Sequence, residues 1–194
     1  MKCKSLIRIT HQAYGNKVEN DVRCGRCIQC RITRRAQWQT RMMLEARTHP
    51  HESIFATLTF DSEHEPINRQ VSKKEAQLFL KRFRHILAKL GIKRARYFLV
   101  GEYGDRNLRP HYHLAIFGVP PNIQYTLSKG MEDAFRESVK KFHRGTYIEP
   151  LLGGFERIIF DAWQGQGKVE AKLLEEGSAS YIAGYITKKL TDAK

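Results

Sequence analysis

The chain has 194 residues, and its 34 lysines and arginines against 20 acidic residues give a formal net charge of +14 with histidine neutral. A hydrophobic fraction of 41% at this length is enough for a packed core, which excludes disorder over the whole chain. No window approaches the roughly 20 apolar residues of a membrane span and the opening MKCKSLIRITHQ has no apolar signal core, so no membrane attachment and a place inside a cell are expected.

The excess charge points to a polyanionic partner, because clustered Lys and Arg release condensed counterions when they meet phosphates. No repeat, low-complexity tract or Gly/Ser linker divides the chain. The expected organisation is a Cys-containing N-terminal segment, residues 1–30, packed on one globular unit spanning 31–194. Residues 1–22 read as short extended pieces that lead into the turn Cys24-Gly25-Arg26-Cys27. With Cys30 this makes a C-x2-C-x2-C cluster, which in an intracellular protein reads more readily as a metal site than as disulfides. Cys3 could complete a four-thiolate structural zinc site, with free thiols as the alternative.

From Ile28 to Arg47 the sequence is helix-permissive and Arg-rich, and it stops at Thr48-His49-Pro50. Arg31, Arg34, Arg35, Trp38 and Arg41 combine charge with an aromatic, a pattern suited to single-stranded DNA, although Trp38 is equally suited to a core. Ser53–Phe60 is β-branched and aromatic and reads as a buried strand. Ser72-Lys73-Lys74-Glu75 fits a capping box that opens an amphipathic helix, with Leu78, Phe79, Phe83, Ile86, Leu87 and Leu90 on its apolar face before Gly91. Residues 73–96 carry nine basic side chains against the single Glu75, as either a solvated helix face or a polyanion surface.

Arg96–Glu102 and His111–Gly118 read as strands that pair as a hairpin across the loop YGDRNLRP. Residues 127–143 resemble a helix, and Phe155–Phe160 and Lys168–Leu174 are weaker strand candidates around a Gly-rich turn. A last helix begins near Ser178 or Ser180, with Ile182, Ile186 and Leu190 as its core stripe. Interleaved helices and strands around a hairpin predict an α+β fold, a central antiparallel β-sheet flanked by helices.

His111 and His113 are two apart on a strand, so they project from one face with Cα atoms about 6–7 Å apart and can clamp one metal. Glu102, at the end of the facing strand, is the nearest acidic third ligand. Two imidazoles and a carboxylate leave coordination positions open, as a catalytic ion requires. Read alone, the histidine pair also suits plain surface or core histidines. Tyr181 and Tyr185 are i, i+4 on the last helix, roughly 100° round from the apolar stripe, which predicts phenols beside the core rather than within it. Lys188 and Lys189 follow on the next turn. A phenol with a pKa near 10 is a poor nucleophile unless a lysine or metal stabilises the phenolate, so clamp, tyrosines and lysine suit attack on a phosphodiester.

Taken together, Phe55-Ala56-Thr57-Leu58-Thr59-Phe60, then Gly101-Glu102-Tyr103-Gly104 with Arg109-Pro110-His111-Tyr112-His113, then Tyr181-x3-Tyr185-x2-Lys188 resemble the three ordered motifs of HUH-type rolling-circle replication initiators. The likeness is to the gokushovirus-like initiators of the Microviridae, small single-stranded DNA phages. It covers about residues 24–190, including the cysteine cluster and Trp38.

The resemblance implies an HUH endonuclease fold and a site-specific nuclease and strand transferase acting on single-stranded DNA. It implies His111, His113 and Glu102 as ligands of Mn²⁺ or Mg²⁺, with zinc an alternative, Tyr181 and Tyr185 as paired nucleophiles, and Lys188 as the family lysine, a role Lys189 could share. Thr57 and Thr59 belong to the first motif and are taken as DNA contacts. Arg106 and Arg109, in the loop beside the metal, are suited to holding the phosphate backbone. One tyrosine would attack the origin to give a 5′-phosphotyrosine and a free 3′-OH that primes a host polymerase; the second would cut the regenerated junction, and rejoining closes a circle. The expected partners are the origin strand and the host replication machinery, in the bacterial cytoplasm. A transposase or plasmid relaxase of the same chemistry and a non-catalytic single-strand-binding domain are the alternatives. Because such initiators often carry further domains, a C-terminal portion beyond this chain is also expected.

Overall fold

The computed structural model describes residues 3–104 and 108–188, the last three as backbone alone. Among them are the strands β1 (Ile7–Ala13), β2 (Asn16–Val22), β3 (Ser53–Phe60), β4 (Arg96–Tyr103), β5 (Pro110–Phe117) and β6 (Gly167–Leu173). The helices are α1 (Ile28–Thr48), α2 (Lys73–Lys89), α3 (Lys129–Phe142), α4 (Gly153–Trp163) and α5 (Glu176–Lys188). Strands β1 and β2 form a separate two-stranded ribbon, and the other four make an antiparallel sheet in the order β4-β5-β3-β6. The α+β architecture, a central antiparallel sheet with helices around it, is the one expected, and it agrees with a Rep-like HUH fold.

Strand alternation separates the two faces of this sheet. Ile54, Ala56, Leu58 and Phe60 of β3, with Tyr112, Leu114 and Ile116 of β5, point into the larger core beneath α2, α3 and α4. Trp163 sits at its centre, 4.7 Å from the Phe60 ring and 6.0 Å from that of Phe79. Helix α2 begins as its capping box predicts: the Ser72 side chain accepts a hydrogen bond from the Glu75 N–H. Most of its basic side chains lie on the solvent face, but Arg82 donates to the Ala162 carbonyl at 2.7 Å, tying α2 to α4.

The opposite face carries a smaller cluster of Met42, Ala115, Phe117, Ala179, Ile182 and Ala183, packed between the sheet and helices α1 and α5. Ile182 is buried as its stripe requires; the Ile186 side chain and Leu190 lie outside the described residues.

Residues Phe155–Phe160 are helical within α4 and not a strand. Phe155, Ile158, Ile159, Phe160, Ala162 and Trp163 are all buried, so the helix is apolar nearly all round and shows no amphipathic period by which to distinguish it from a buried strand. Its two charged residues are satisfied internally. Glu156 accepts the Ala171 N–H of β6 at 2.6 Å, and Arg157 forks onto both oxygens of Glu132 at 2.8 Å while also reaching Glu149. No helix among the described residues is long and apolar enough to cross a membrane.

Candidate active site

The hairpin expected between Arg96–Glu102 and His111–Gly118 forms, with Glu102 directly opposite His111 and Val100 opposite His113. On the other side of β5, Thr59 faces His111 and Thr57 faces His113. Antiparallel pairing thus brings Glu102, His111 and His113 to one point, their ligating atoms all within 4.8 Å of one another. Glu102 Oε1 lies 2.5 Å from His111 Nε2 and 3.2 Å from His113 Nε2.

The hydrogen bonds behind the rings decide what these nitrogens can do. His111 Nδ1 is 3.0 Å from the Arg109 carbonyl, which has no proton to give, so Nδ1–H must donate. In the neutral ring Nε2 is then a lone pair facing a carboxylate, and two acceptors at that distance need a cation between them. His113 Nδ1 is held at 3.0 Å by Thr57 Oγ1, which leaves its Nε2 turned toward Glu102. That nitrogen is buried and has no aligned hydrogen-bond partner, and the same holds for Glu102 Oε2. A nearly buried carboxylate and two imidazoles with orphaned ligand atoms fit a divalent ion. Burial pushes the Glu102 carboxyl up, but hydrogen bonds from His111 and His113 and their charge outweigh it and hold the group below the ordinary carboxylate value.

Helix α5 lies over this group. Tyr185 stacks on His113 with ring centroids 5.6 Å apart, and Tyr181 meets the same imidazole edge-on at 5.3 Å. The two tyrosine rings are 4.8 Å apart. Their exposure differs from the simple helical-wheel expectation: Tyr181 is 48% exposed, whereas Tyr185 is 8% exposed and belongs to the buried set. The cause is the imidazole itself, which gives the second phenol an aromatic face to cover. The Lys188 side chain, Lys189 and Arg106 lie outside the described residues.

The other expected residues divide between tasks. Arg109 turns inward, donating to the Phe60 carbonyl and to Ser62 Oγ at 3.2 Å each and pairing with Glu65 at 3.4 Å. On α1, Arg35 reaches α5 through Ser180 Oγ at 3.1 Å. Arg31 donates to the Arg26 carbonyl, and Arg34 lies close to Gly25. Trp38 packs on Phe98 at 4.8 Å, with the Arg41 guanidinium 5.1 Å from its own ring centroid. Cys3, Cys24, Cys27 and Cys30 form a cluster of their own.

Two neighbours of the site carry no role that the sequence alone assigns. Phe55 stacks on His113 at 5.6 Å, and Lys172 of β6, paired with Phe55 across the strands, holds its ammonium 5.5 Å from the Phe55 ring. Phe55 was accessible through period-two alternation with Thr57; Lys172 was not, because only the order of strands puts β6 beside β3.

An acidic residue and a His-x-His pair on adjacent antiparallel strands, covered by a helix bearing two tyrosines, define the Rep-like class of HUH proteins. The chain belongs to the replication-associated protein ORF2 family, whose model matches residues 53–190. It is 30% identical over 183 residues to "Replication-associated protein ORF2" of Spiroplasma virus 4, covering 90% of this chain and 51% of that protein. It is 32% identical over 171 residues to "Replication-associated protein VP4" of Bdellovibrio phage phiMH2K, covering 86% of this chain and 48% of the relative. A third relative, "Replication-associated protein ORF4" of Chlamydia phage 1, is 27% identical over 166 residues, covering 86% of this chain and 38% of the relative. The chain thus spans about half the length, or less, of these curated relatives. No solved structure gives a significant match.

Proposed function

We propose that the chain is the nicking and joining unit of a phage replication initiator, a site-specific single-stranded DNA endonuclease and strand transferase that begins and ends rolling-circle replication. The observation that carries this reading is the meeting of Tyr181 and Tyr185 on His113, the imidazole that shares Glu102 with His111. The phage replication names of the relatives favour this role over transposition or plasmid transfer.

Glu102, His111 and His113 would hold Mn²⁺ or Mg²⁺, which supplies charge neutralisation at a phosphate oxygen as negative charge develops there. The rest is the work of the chain's own groups. Tyr181 or Tyr185 loses its phenolic proton to water and its Oη attacks the origin phosphorus. The P–O3′ bond breaks, the departing 3′-oxygen takes a proton, and a 5′-phosphotyrosine remains. Joining is the reverse: a 3′-OH attacks that phosphorus and the phenol is released. One phosphodiester is exchanged for another, so no nucleotide hydrolysis is needed. Because the phenol rings are 4.8 Å apart, both reach one phosphate position in turn. Arg35 and Lys172 flank the site with positive charge for the backbone of the strand. The origin strand and the host polymerase are the partners this chemistry requires, and the bacterial cytoplasm is where they meet.

The test is incubation with Mn²⁺ and single-stranded oligonucleotides tiled across the replicon's own sequence, followed by a denaturing gel. A covalent adduct is expected from the unaltered protein and none from the Tyr181→Phe, Tyr185→Phe double variant. An adduct that persists in the double variant overturns the assignment.

A further inference from the structure

The geometry points to a second metal centre of a different chemistry: Cys3, Cys24, Cys27 and Cys30 hold one structural zinc ion, which fixes the β1-β2 ribbon to the start of α1. The sulfur positions carry the argument. Cys3 and Cys24 Sγ are 3.5 Å apart, Cys24 and Cys30 3.9 Å, and Cys3 and Cys27 3.9 Å, with all four within 4.8 Å of one another. Four thiolates about 2.3 Å from a tetrahedral zinc ion are separated by about 3.8 Å along each edge, so these sulfurs already stand at the corners of such a site. The distances are far too long for disulfides, whose sulfurs are about 2.05 Å apart, and all four cysteines are free.

The backbone is folded to receive anionic sulfur. Cys24 N–H points to Cys3 Sγ and Cys27 N–H to Cys24 Sγ, both at 3.4 Å. Gly25, at φ +72°, makes the left-handed turn that returns the chain between Cys24 and Cys27. Cys27 is the N-cap of α1 and makes no side-chain capping bond, and the first turn of that helix has no acidic residue. Thiolates at this end meet the positive pole of the helix and the chain's own basic excess.

The ribbon has little else to hold it. Every residue of β1 from Ile7 to Gln12 is exposed, and its dominant contacts are with β2. A lone two-stranded hairpin is marginal in water. Cys3 precedes its first strand and Cys24 follows its second, so a shared ion closes its open end, and Cys27 and Cys30 join that end to α1. The site uses no group of the Glu102 centre, and soft thiolates select zinc where a carboxylate with imidazoles accepts Mn²⁺.

The experiment is metal analysis of the full chain purified without chelator. About one zinc per chain is expected, retained in His111→Ala, His113→Ala and lost in Cys24→Ser, Cys27→Ser. Should the cysteine variant fail to fold, cobalt loading of the unaltered chain decides: intense visible bands of tetrahedral cobalt with sulfur-to-metal charge transfer are expected. Zinc below about a tenth of an equivalent together with a thiolate-free cobalt spectrum overturns the site, as does zinc that disappears with the histidines and stays without the cysteines. Chelation is also expected to open residues 7–22 to protease while leaving the four-stranded domain intact; unchanged cleavage counts against the anchoring role.

Discussion

Thr57 Oγ1 stands 3.0 Å behind His113 Nδ1, on the strand facing it, so the imidazole is held from the side opposite Glu102. With Nε2 as ligand, Nδ1–H donates to the hydroxyl and the ring orientation is set by β3. This is a positioning task, and it replaces the DNA contact expected of Thr57 from its motif alone. Thr57→Val keeps the shape and removes the acceptor. Mn²⁺ affinity measured by titration calorimetry is expected to fall about 10–100-fold, and Thr57→Ser to restore it. Unchanged affinity in Thr57→Val would remove Thr57 from the site.

The unequal exposure of the tyrosines predicts an order of events. Tyr181, 48% exposed, meets an incoming strand first, and Tyr185, 8% exposed, waits against His113. Tyr181→Phe is expected to abolish the adduct with an intact origin strand, while Tyr185→Phe retains it and fails at the second cut. Peptide mapping of the adduct from the unaltered protein should find the nucleotide on Tyr181; finding it on Tyr185 alone reverses the order.

Arg109 and Lys172 separate structural from DNA-contacting charge. The Arg109 guanidinium is engaged with Phe60, Ser62 and Glu65, so Arg109→Ala should destabilise the fold by roughly 1–3 kcal/mol, seen as a lower urea midpoint. Lys172 is exposed on the edge strand beside Phe55. Lys172→Ala should leave stability unchanged and reduce the slope of log affinity against log salt by about 0.7, the value for one phosphate on a single strand.

Glu156 should make stability depend on pH in a direction opposite to most carboxylates. Burial raises its pKa from 4.5 to about 7, against the lowering effect of the Ala171 N–H. Because the folded chain holds this proton more tightly than the unfolded one, the favourable contribution is complete below about pH 4.5 and declines as pH rises to about 7. The loss amounts to about 3 kcal/mol on that shift. Glu156→Gln should therefore gain on the unaltered protein between about pH 5 and pH 8 in urea unfolding, and a constant difference across that range would refute the shift.

The sequence was most legible where a local period or a cap decides the structure. Ser72 and Glu75 open α2 as their spacing requires, and the His-Tyr-His alternation with Glu102 opposite follows from pairing two obvious strands. Helix α4 was illegible because a segment apolar on every side has no period. Tyr185 was misplaced because its burial depends on the ring of His113, which lies 72 residues away in the chain. The same holds for Arg109, whose partners Ser62 and Glu65 belong to the loop after β3, and for Lys172, placed by strand order alone. Contacts between distant elements were the part that spacing along the chain does not encode.

Between the two histidines, Tyr112 points to the other side of β5, where its hydroxyl donates to the Ser72 carbonyl at 2.8 Å and accepts from the Ser72 N–H at 3.0 Å. Three consecutive side chains therefore fasten both surfaces of the sheet at once. A shift of β5 by one residue would put a phenol where an imidazole must be and leave the cap of α2 without its bonds. Variation among replicons of this type has its freedom in the loops around the sheet, while the strand itself admits neither insertion nor deletion.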